Sequence, residues 1–484
     1  MNGDFARVTF DPRDGFRRVA LQQGRVLLEA DFNEQAAIQD HYLRNMIADL
    51  KGRCWAVGKA FALAPSGEGD FTIQNGHLYV DGLLCENGER DDPSGACRYF
   101  DQPFGSLPDG REALPPESFL IYLECWERYV GVLEAPRLRE IALAGADTSL
   151  RTQTTWQVRL AEFATIEKQW KQVHATLQAR EKAAAELPGI VKTRKAPTAP
   201  TALGELLKAY PPKNPAQLPD PAVANDALDA LDAATPLMRA SAGGEPAADD
   251  PGTLPPDARY RGRENQLYRI EIHDGGTAHS ATFKWSRENG SVQFGIVSTG
   301  GIDQKSGESQ VTVTLASLGR DARGGLANGD WVELCGEAVE LSGAPGAMAQ
   351  VLGFGPAPLD IRIKIALPAA FRPELYTILR RWDQRAQVTA QGLFGVGESV
   401  TSWLPIERGI QVQFVPGGVY RTGDYWLVPA RVASTDVEWP QSSDDDPQPL
   451  ALPRAGIRRY RAALGCGGRQ GAGPWTFESF VYGK

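Results

Sequence analysis

Asn265-Gln-Leu-Tyr-Arg-Ile-Glu-Ile-His273, the pair Gly275-Gly276, and Ala281-Thr-Phe-Lys-Trp-Ser-Arg-Glu-Asn-Gly-Ser-Val292 open a stretch that runs on to Val297 and decides how this chain is read. Tyr268, Ile270 and Ile272 alternate with Arg269 and Glu271, and Phe283 and Trp285 alternate with Lys284 and Ser286. A period of two predicts two half-buried strands. Gly275-Gly276 turns the chain between them, and Asn289-Gly290 closes the stretch with a turn that tolerates positive φ.

The same signals recur on both sides. Phe71 to Glu89 reads as a hairpin with Asn75-Gly76 at its tip and a second turn at Asp81-Gly82. Ser118 to Tyr129 is nearly continuous in apolar and aromatic residues, as a central strand is, and Thr152 to Leu160 reads as its partner. Further strands follow at Val311 to Leu315, within Gly324 to Leu334, at Ala349 to Leu352, at Ile361 to Ile365, at Gly409 to Pro416 and within Thr422 to Ala430. Short strands at this spacing suggest barrel-like or sandwich-like modules.

Two regions break the pattern. Phe5 to Val19 looks like an extended arm, and Gln23 to about Leu50 turns helical, with Leu27, Ile38, Tyr42 and Met46 on one arc. After Phe163, Ile166, Trp170, Val173 and Leu177 mark an amphipathic helix ending before Pro188. A Pro- and Ala-rich insert, Ile190 to Arg261, follows with one helical candidate at Ala222 to Ala234, and is expected to protrude. The expected fold is therefore mainly β, multi-domain, with an N-terminal helix and a helical Pro/Ala-rich insertion. The expected division is 1–50 (arm and helix), 51–162 (first part of a β-rich domain), 163–261 (helix and insertion), 262–370 (its second part) and 371–484 (aromatic-rich β region and tail).

Composition narrows function. With 484 residues, 42% of them apolar, the chain can bury several cores. A formal charge of −9 argues against general nucleic-acid binding, and no apolar run reaches the roughly 20 residues of a membrane span. The first residues lack a signal peptide's apolar core, which implies cytoplasmic synthesis. The six cysteines form no Cys-x-x-Cys pair and read as buried apolar residues or free thiols, with Cys85 and Cys97 able to bridge.

Chemistry is sparse. Trp285, Arg287, Glu288 and Asn289 form either a binding cluster or a turn locked by an Arg-Glu pair over a Trp. Trp403, Tyr420, Tyr425 and Trp426 form either an aromatic face for a surface glycan or a subunit, or the core of a β module. His273 and His279 around Asp274 fit no compact metal motif, so neither metal nor cofactor is expected. Asp31 with Glu34, and Glu127 with Glu134, are chance-level candidates for a glycosidase pair. No nucleophile elbow, P-loop or His-Glu-x-x-His is present, so no enzyme is expected.

Several segments together resemble a bacterial family of unknown function encoded beside contractile injection systems and phage-tail-like particles. They include Gly3-Asp4-Phe5, Thr9-Phe10-Asp11-Pro12, Gln22-Gln23-Gly24-Arg25-Val26 and Ala30-Asp31-Phe32-Asn33-Glu34-Gln35. They continue with Arg139 to Leu143, Asp147-Thr148, Thr155 to Val158, Asn265 to Arg269, Lys284 to Gly290, Gly329 to Glu333, Leu379 to Gln384, Tyr420 to Trp426 and Pro429-Ala430-Arg431. The resemblance implies a non-enzymatic structural or accessory subunit of such a particle, at its baseplate or on an appendage. Its partners would be other particle subunits, with self-association open, and it would assemble in the cytoplasm into a particle that is released or membrane-associated. Phe5, Phe10, Gln23, Arg25, Asp31 and Asn33 are the candidate interface residues. A glycan- or target-binding module carried on the particle is the alternative, and a polysaccharide-cleaving enzyme a distant third.

Overall fold

The computed structural model describes residues 2–67, 69–88, 95–105, 113–116, 118–187, 189–191, 221–243, 259–305, 308–321, 323–365, 372–385, 388–443, 445–469, 473–480 and 482. The chain is mainly β, with helices α1 (Glu29–Lys51), α2 (Phe163–Glu186), α3 (Pro221–Ala230) and the short α4 (Glu337–Ser342). Among the described residues no helix is long and apolar enough to cross a membrane.

The two central strands are Gln266–Ile272 and Thr282–Ser286, antiparallel, with Ile270 opposite Trp285 and Glu271 opposite Lys284. They lie in a five-stranded sheet with Phe394–Gly395, Tyr425–Arg431 and Asp436–Val437. A four-stranded sheet of Leu404–Glu407, Ile410–Val415, Leu237–Ala242 and Leu452–Pro453 faces it. The apolar faces meet in one core built from Tyr268, Ile270, Phe283, Trp285, Met238, Val412, Phe414 and Trp426. This is a sandwich.

Next to it stands a closed six-stranded antiparallel barrel. Its strands are Gln293–Lys305, Glu308–Leu315, Asp360–Ile365, Ala347–Phe354, Trp331–Cys335 and Ile378–Trp382. Closure removes free strand edges, and Val313, Leu315, Val332, Leu334, Ile361, Ile363 and Leu379 fill the interior. A third module carries Phe119–Val130 between Arg151–Glu162 and Arg459–Gly468, with Thr476–Ser479 at the edge. One face of that sheet packs on two three-stranded sheets from residues 54–98 around Phe71, Leu78, Phe119, Leu123 and Trp156.

Three expectations need correction. The central strands are not half-buried: Arg269, Glu271 and Lys284 are as inaccessible as their apolar neighbours, because the polar face packs on the barrel. Asn75-Gly76 is not a hairpin tip. Asp70–Ile73 pairs with Leu63–Gly67 and Cys97–Arg98, while Gly76–Val80 turns through Asp81-Gly82 to pair with Leu83–Asn87, so Asn75-Gly76 is a corner between sheets. The described parts of the insertion do not protrude. Ile166, Trp170, Val173 and Leu177 of α2, with Ala224 and Leu228 of α3, cover Leu120, Ala463 and Cys466 on the other face of the third module's sheet. Leu237–Ala242, expected to be part of the insert, is a fully buried strand of the sandwich. Residues 192–220 and 244–258, the Pro-rich parts, lie outside the described residues. Cys85 and Cys97 do not bridge, and burial pushes the Cys54 thiol up to about 12.

Candidate functional site

The N-terminal segment is tied down at its start. Asn289 and Gly290, both at positive φ, form the turn expected after the second central strand. Asn289 clasps the chain end: its Nδ2 donates to the Gly3 carbonyl at 3.0 Å, and its own carbonyl accepts from the Gly3 N–H at 3.4 Å. Arg431 donates to the Ala6 carbonyl at 3.0 Å, and Phe5 packs edge-on against Tyr129 at 5.6 Å.

From there the arm runs along α1 and back. Ala6 N–H reaches Glu29 at 3.4 Å, Thr9 bonds Glu34, and the Phe10 ring lies 5.6 Å from His41. Pro12–Asp14 and Gly15, at φ 67°, reverse the chain. Arg17 then covers the Tyr42 ring, and Val19 N–H donates to Gln35 Oε1 at 2.9 Å.

Helix α1 starts with Glu29 and Asp31 in its first turn, where the helix dipole favours acids, and stops at Gly52, whose φ is 83°. Its inward face is small. Ala30 and Ile38 are buried, Arg44 reaches Glu127 at 3.3 Å and stacks on Tyr460 at 4.7 Å, and Lys51 lies over Trp55 at 4.8 Å. Burial opposes the Arg44 charge, but Tyr460, Glu127 and Asp40 raise its pKa; burial also lifts the Glu127 carboxyl by more than Arg44 lowers it. The pair therefore fixes position more than it stabilises. A Cβ on Gly82 would meet the Arg44 carbonyl oxygen at 2.2 Å, so only glycine lets the helix approach the Asp81-Gly82 turn.

The outward face is the unusual one. Of the seventeen large apolar side chains exposed among the described residues, eleven lie between Val8 and Leu50. On α1, Phe32, Ala36, Gln39, Leu43, Met46 and Leu50 follow each other at spacings of four, three, four, three and four, all exposed. Phe32 is 57%, Leu43 52%, Met46 52% and Leu50 73% exposed. That spacing draws a straight stripe on a helix, the pattern by which one helix packs on another. Phe16, Leu21, Val26 and Leu27 of the arm add to the exposed apolar area.

The sequence placed the helix but chose a different face. Of Leu27, Ile38, Tyr42 and Met46, only Ile38 is buried, and Leu27 precedes the helix. Starting at Phe32 instead of Leu27 would have revealed the stripe. Phe5, Phe10 and Asp31 are half-buried, whereas Gln23, Arg25 and Asn33 are exposed. The structure gathers all six into the arm and helix.

The other candidates lie apart from this surface. Arg287 does not pair with Glu288: it forks onto Glu407 through Nε and Nη2 at 2.5 and 2.6 Å and meets Asp383, while Glu288 takes Arg323. Trp285 is buried in the sandwich core, 5.7 Å from the Arg287 guanidinium. Tyr420, Tyr425 and Trp426 do not form an aromatic face, because all three are buried. Phe414 packs on Tyr420 and Trp426, and Arg269 lies over Tyr425 at 3.6 Å. Trp403 is half-buried under Arg239 at 5.0 Å.

Glu34 and Glu127 are engaged as described above, and Glu134 accepts from the Gly131 N–H. His273 is buried beside Lys284 and Glu333, and burial with the Lys284 charge pushes its pKa down to about 4. His279 is exposed, and among the described residues no group of three or more His, Cys, Asp or Glu is placed to hold a metal.

A family model matches residues 1–474. The chain belongs to a family of unknown function, DUF6519. No curated protein matches this DUF6519 chain. Among solved structures it is similar to a chain of the type VI secretion system TssK-TssF-TssG baseplate subcomplex, at 14% identity over 44% of this chain and 85% of that one, with a TM-score of 0.16. It is also similar to TssK in a crystal structure, at 8% identity over 82% and 99% with a TM-score of 0.14. TssK from EAEC in complex with a nanobody gives 12% identity over 80% and 100%, with a TM-score of 0.13. TM-scores of this size carry no argument.

Proposed function

We propose that this DUF6519 protein is a non-enzymatic structural or accessory subunit of a contractile injection particle, seated at the baseplate or on an appendage, with its N-terminal arm and α1 against a neighbouring subunit. The particle assignment rests on the ordered sequence segments described above. The exposed stripe from Phe32 to Leu50, interrupted only by Gln39, carries the interface assignment, because isolated proteins seldom leave so large an apolar patch in water.

Size and energy are consistent with this role. A fully buried Phe, Leu or Met side chain gains roughly 1.5–3 kcal/mol, so four such residues with about half their surface still free offer on the order of 4–5 kcal/mol. Alone that supports only weak binding. In a particle where each subunit touches several neighbours, weak contacts multiply.

The double substitution Leu43→Glu/Met46→Glu tests it. Both side chains are more than half exposed, so the purified variant should melt within the ~0.5 kcal/mol scatter of surface changes. Particles sheared from a strain carrying it should lack the protein by mass spectrometry. Normal incorporation would refute the interface.

A further inference from the structure

The third module's sheet has a second face that is only half covered. Along Phe119–Val130, the residues turned toward α2 and α3 include Leu120, Tyr122, Glu124 and Trp126. The helices cover the Leu120 end, whose neighbours Ala463 and Cys466 are apolar. Toward Trp126 the rows become charged: Arg461 and Gln157 flank Glu124, Arg159 lies opposite Tyr122, and Arg459 lies opposite Trp126. Above this charged half is a cavity of about 580 Å³, walled by α2, α3, the Ser342-Gly343-Ala344 turn after α4, and Arg421-Thr422 from the sandwich.

Its charges do not balance. Arg159, Arg421, Arg459 and Arg461 line it. Glu124 serves three of them, with Arg461 Nε at 2.8 Å from one oxygen, and Arg159 Nε at 3.4 Å and Arg459 Nη1 at 3.7 Å from the other. Asp232 serves Arg461 at 2.9 Å and Arg421 at 2.6 Å. Glu162 also lines the space, and Asp424 acts on Arg421 and Arg459 but is taken by Arg454 at 3.2 Å, which leaves five cations to four carboxylates.

Two guanidiniums are underused. Arg459 donates no hydrogen bond to a described residue; it stacks on Trp126 at 5.3 Å with its side chain 10% exposed. Arg159 donates through Nη2 to Gln157 Oε1 at 2.8 Å, but its Nε–H is buried without a hydrogen-bond acceptor. Burial pulls the Arg459 pKa down, since the shared Glu124 does not compensate it fully. Buried donors without acceptors are rare and costly. A guanidinium fork matches the two oxygens of a phosphate or carboxylate, and the volume falls within the roughly 300–1,000 Å³ of small-molecule sites.

We propose that this cavity binds a small organic molecule carrying phosphate or carboxylate oxyanions, held by Arg459 and Arg159 with Arg421 at the rim. Leu228 and Leu231 supply an apolar wall for its body. This site is independent of the N-terminal surface and would exist on the isolated subunit.

The test is calorimetric titration of the purified full-length protein with pyrophosphate and with citrate, each at constant ionic strength against sodium chloride. One probe should bind with 1:1 stoichiometry, and Arg459→Gln should weaken it at least about tenfold, while Arg362→Gln, on the exposed surface of the barrel, should not. Tighter pyrophosphate binding would point to a phosphate ester and tighter citrate binding to a polycarboxylate. If Arg459→Gln fails to fold, Arg421→Gln, whose side chain is 29% exposed, gives the same reading. No binding of either probe above the chloride control, or binding that survives both substitutions, overturns the proposal.

Discussion

Lys284→Met isolates what holds the sandwich to the barrel. Lys284 is 2% exposed, and its ammonium lies 2.5 Å from Glu333 of the barrel, 3.3 Å from Glu271 across the strand pair, 3.2 Å from His273 Nδ1 and 4.5 Å from the Trp382 ring. Methionine keeps most of the stem and removes the charge. Glu271 keeps Arg269 at 2.5 Å, but Glu333 is left with the Trp382 indole N–H at 2.9 Å, the Gly346 N–H at 3.2 Å, His273 Nδ1 at 3.6 Å and Arg380 at 4.0 Å. Breaking a buried pair from one side costs about 3–5 kcal/mol, and that loss is expected at pH 8.

The cost should shrink in acid. In the wild type burial pushes Glu333 and Glu271 up, but the surrounding cations hold both below the ordinary carboxylate range, and His273 is held near 4. The His273 contribution is fully present above about 6.5 and is lost as pH falls toward 4; the carboxylate contribution is lost below about 4.5. Without Lys284 the His273 pKa rises and Glu333 takes up a proton more readily, so the variant loses less than the wild type on acidification. Urea unfolding at pH 8 and pH 5, with hydrogen exchange on peptides covering 266–286 because a multi-module chain need not unfold in one step, reads the difference. A deficit below about 1 kcal/mol at pH 8, or an equal deficit at pH 5, would refute the reasoning. Lys284→Met/Glu333→Gln should recover most of the loss.

Three further outcomes follow from buried groups. Asp424 is fully buried, and desolvation outweighs Arg454 at 3.2 Å to raise its pKa to about 6. A carboxyl raised on folding destabilises above that pH and not below about 4, so the unfolding free energy of Asp424→Asn minus that of wild type should climb between pH 4.5 and 7.5, toward about 3 kcal/mol; a flat difference would count against it. Asn289→Ala removes the side-chain half of the clasp on Gly3 and puts alanine at a positive-φ position, and limited proteolysis should then cut within residues 2–20 while the sandwich core stays protected. Trp426→Ala should lower stability by about 3–5 kcal/mol, because the indole is 1% exposed and donates to the Leu452 carbonyl at 3.0 Å; unchanged melting would contradict its core position.

How much of this was legible depends on what alternation reports. It separates apolar from polar positions, which was enough to place Gln266–Ile272, Thr282–Ser286 and the long pair Phe119–Val130 with Arg151–Glu162. It does not separate polar-and-exposed from polar-and-paired. Arg269, Glu271 and Lys284 therefore read as a wet face, although they pair with one another and Lys284 also pairs with Glu333, which lies tens of residues away on the barrel. The same blindness hid the cavity, since Arg159, Arg459 and Arg461 come from strands about 300 residues apart in sequence. Leu237–Ala242 was missed because Leu-Met-Arg-Ala-Ser-Ala sits in Ala-rich surroundings and only its pairing with Ile410–Val415 makes it a strand. The stripe on α1 was written in the sequence throughout, but apolar periodicity alone does not say whether a face meets the chain's own core or another molecule.

The most direct measurement is cryo-electron microscopy of sheared particles from the native bacterium and from a strain lacking this gene. The account predicts density lost from one defined place in the deletion strain, with Phe32, Leu43, Met46 and Leu50 buried against a neighbouring subunit in the wild type. A protein absent from intact particles, or present with that stripe facing solvent, would contradict it.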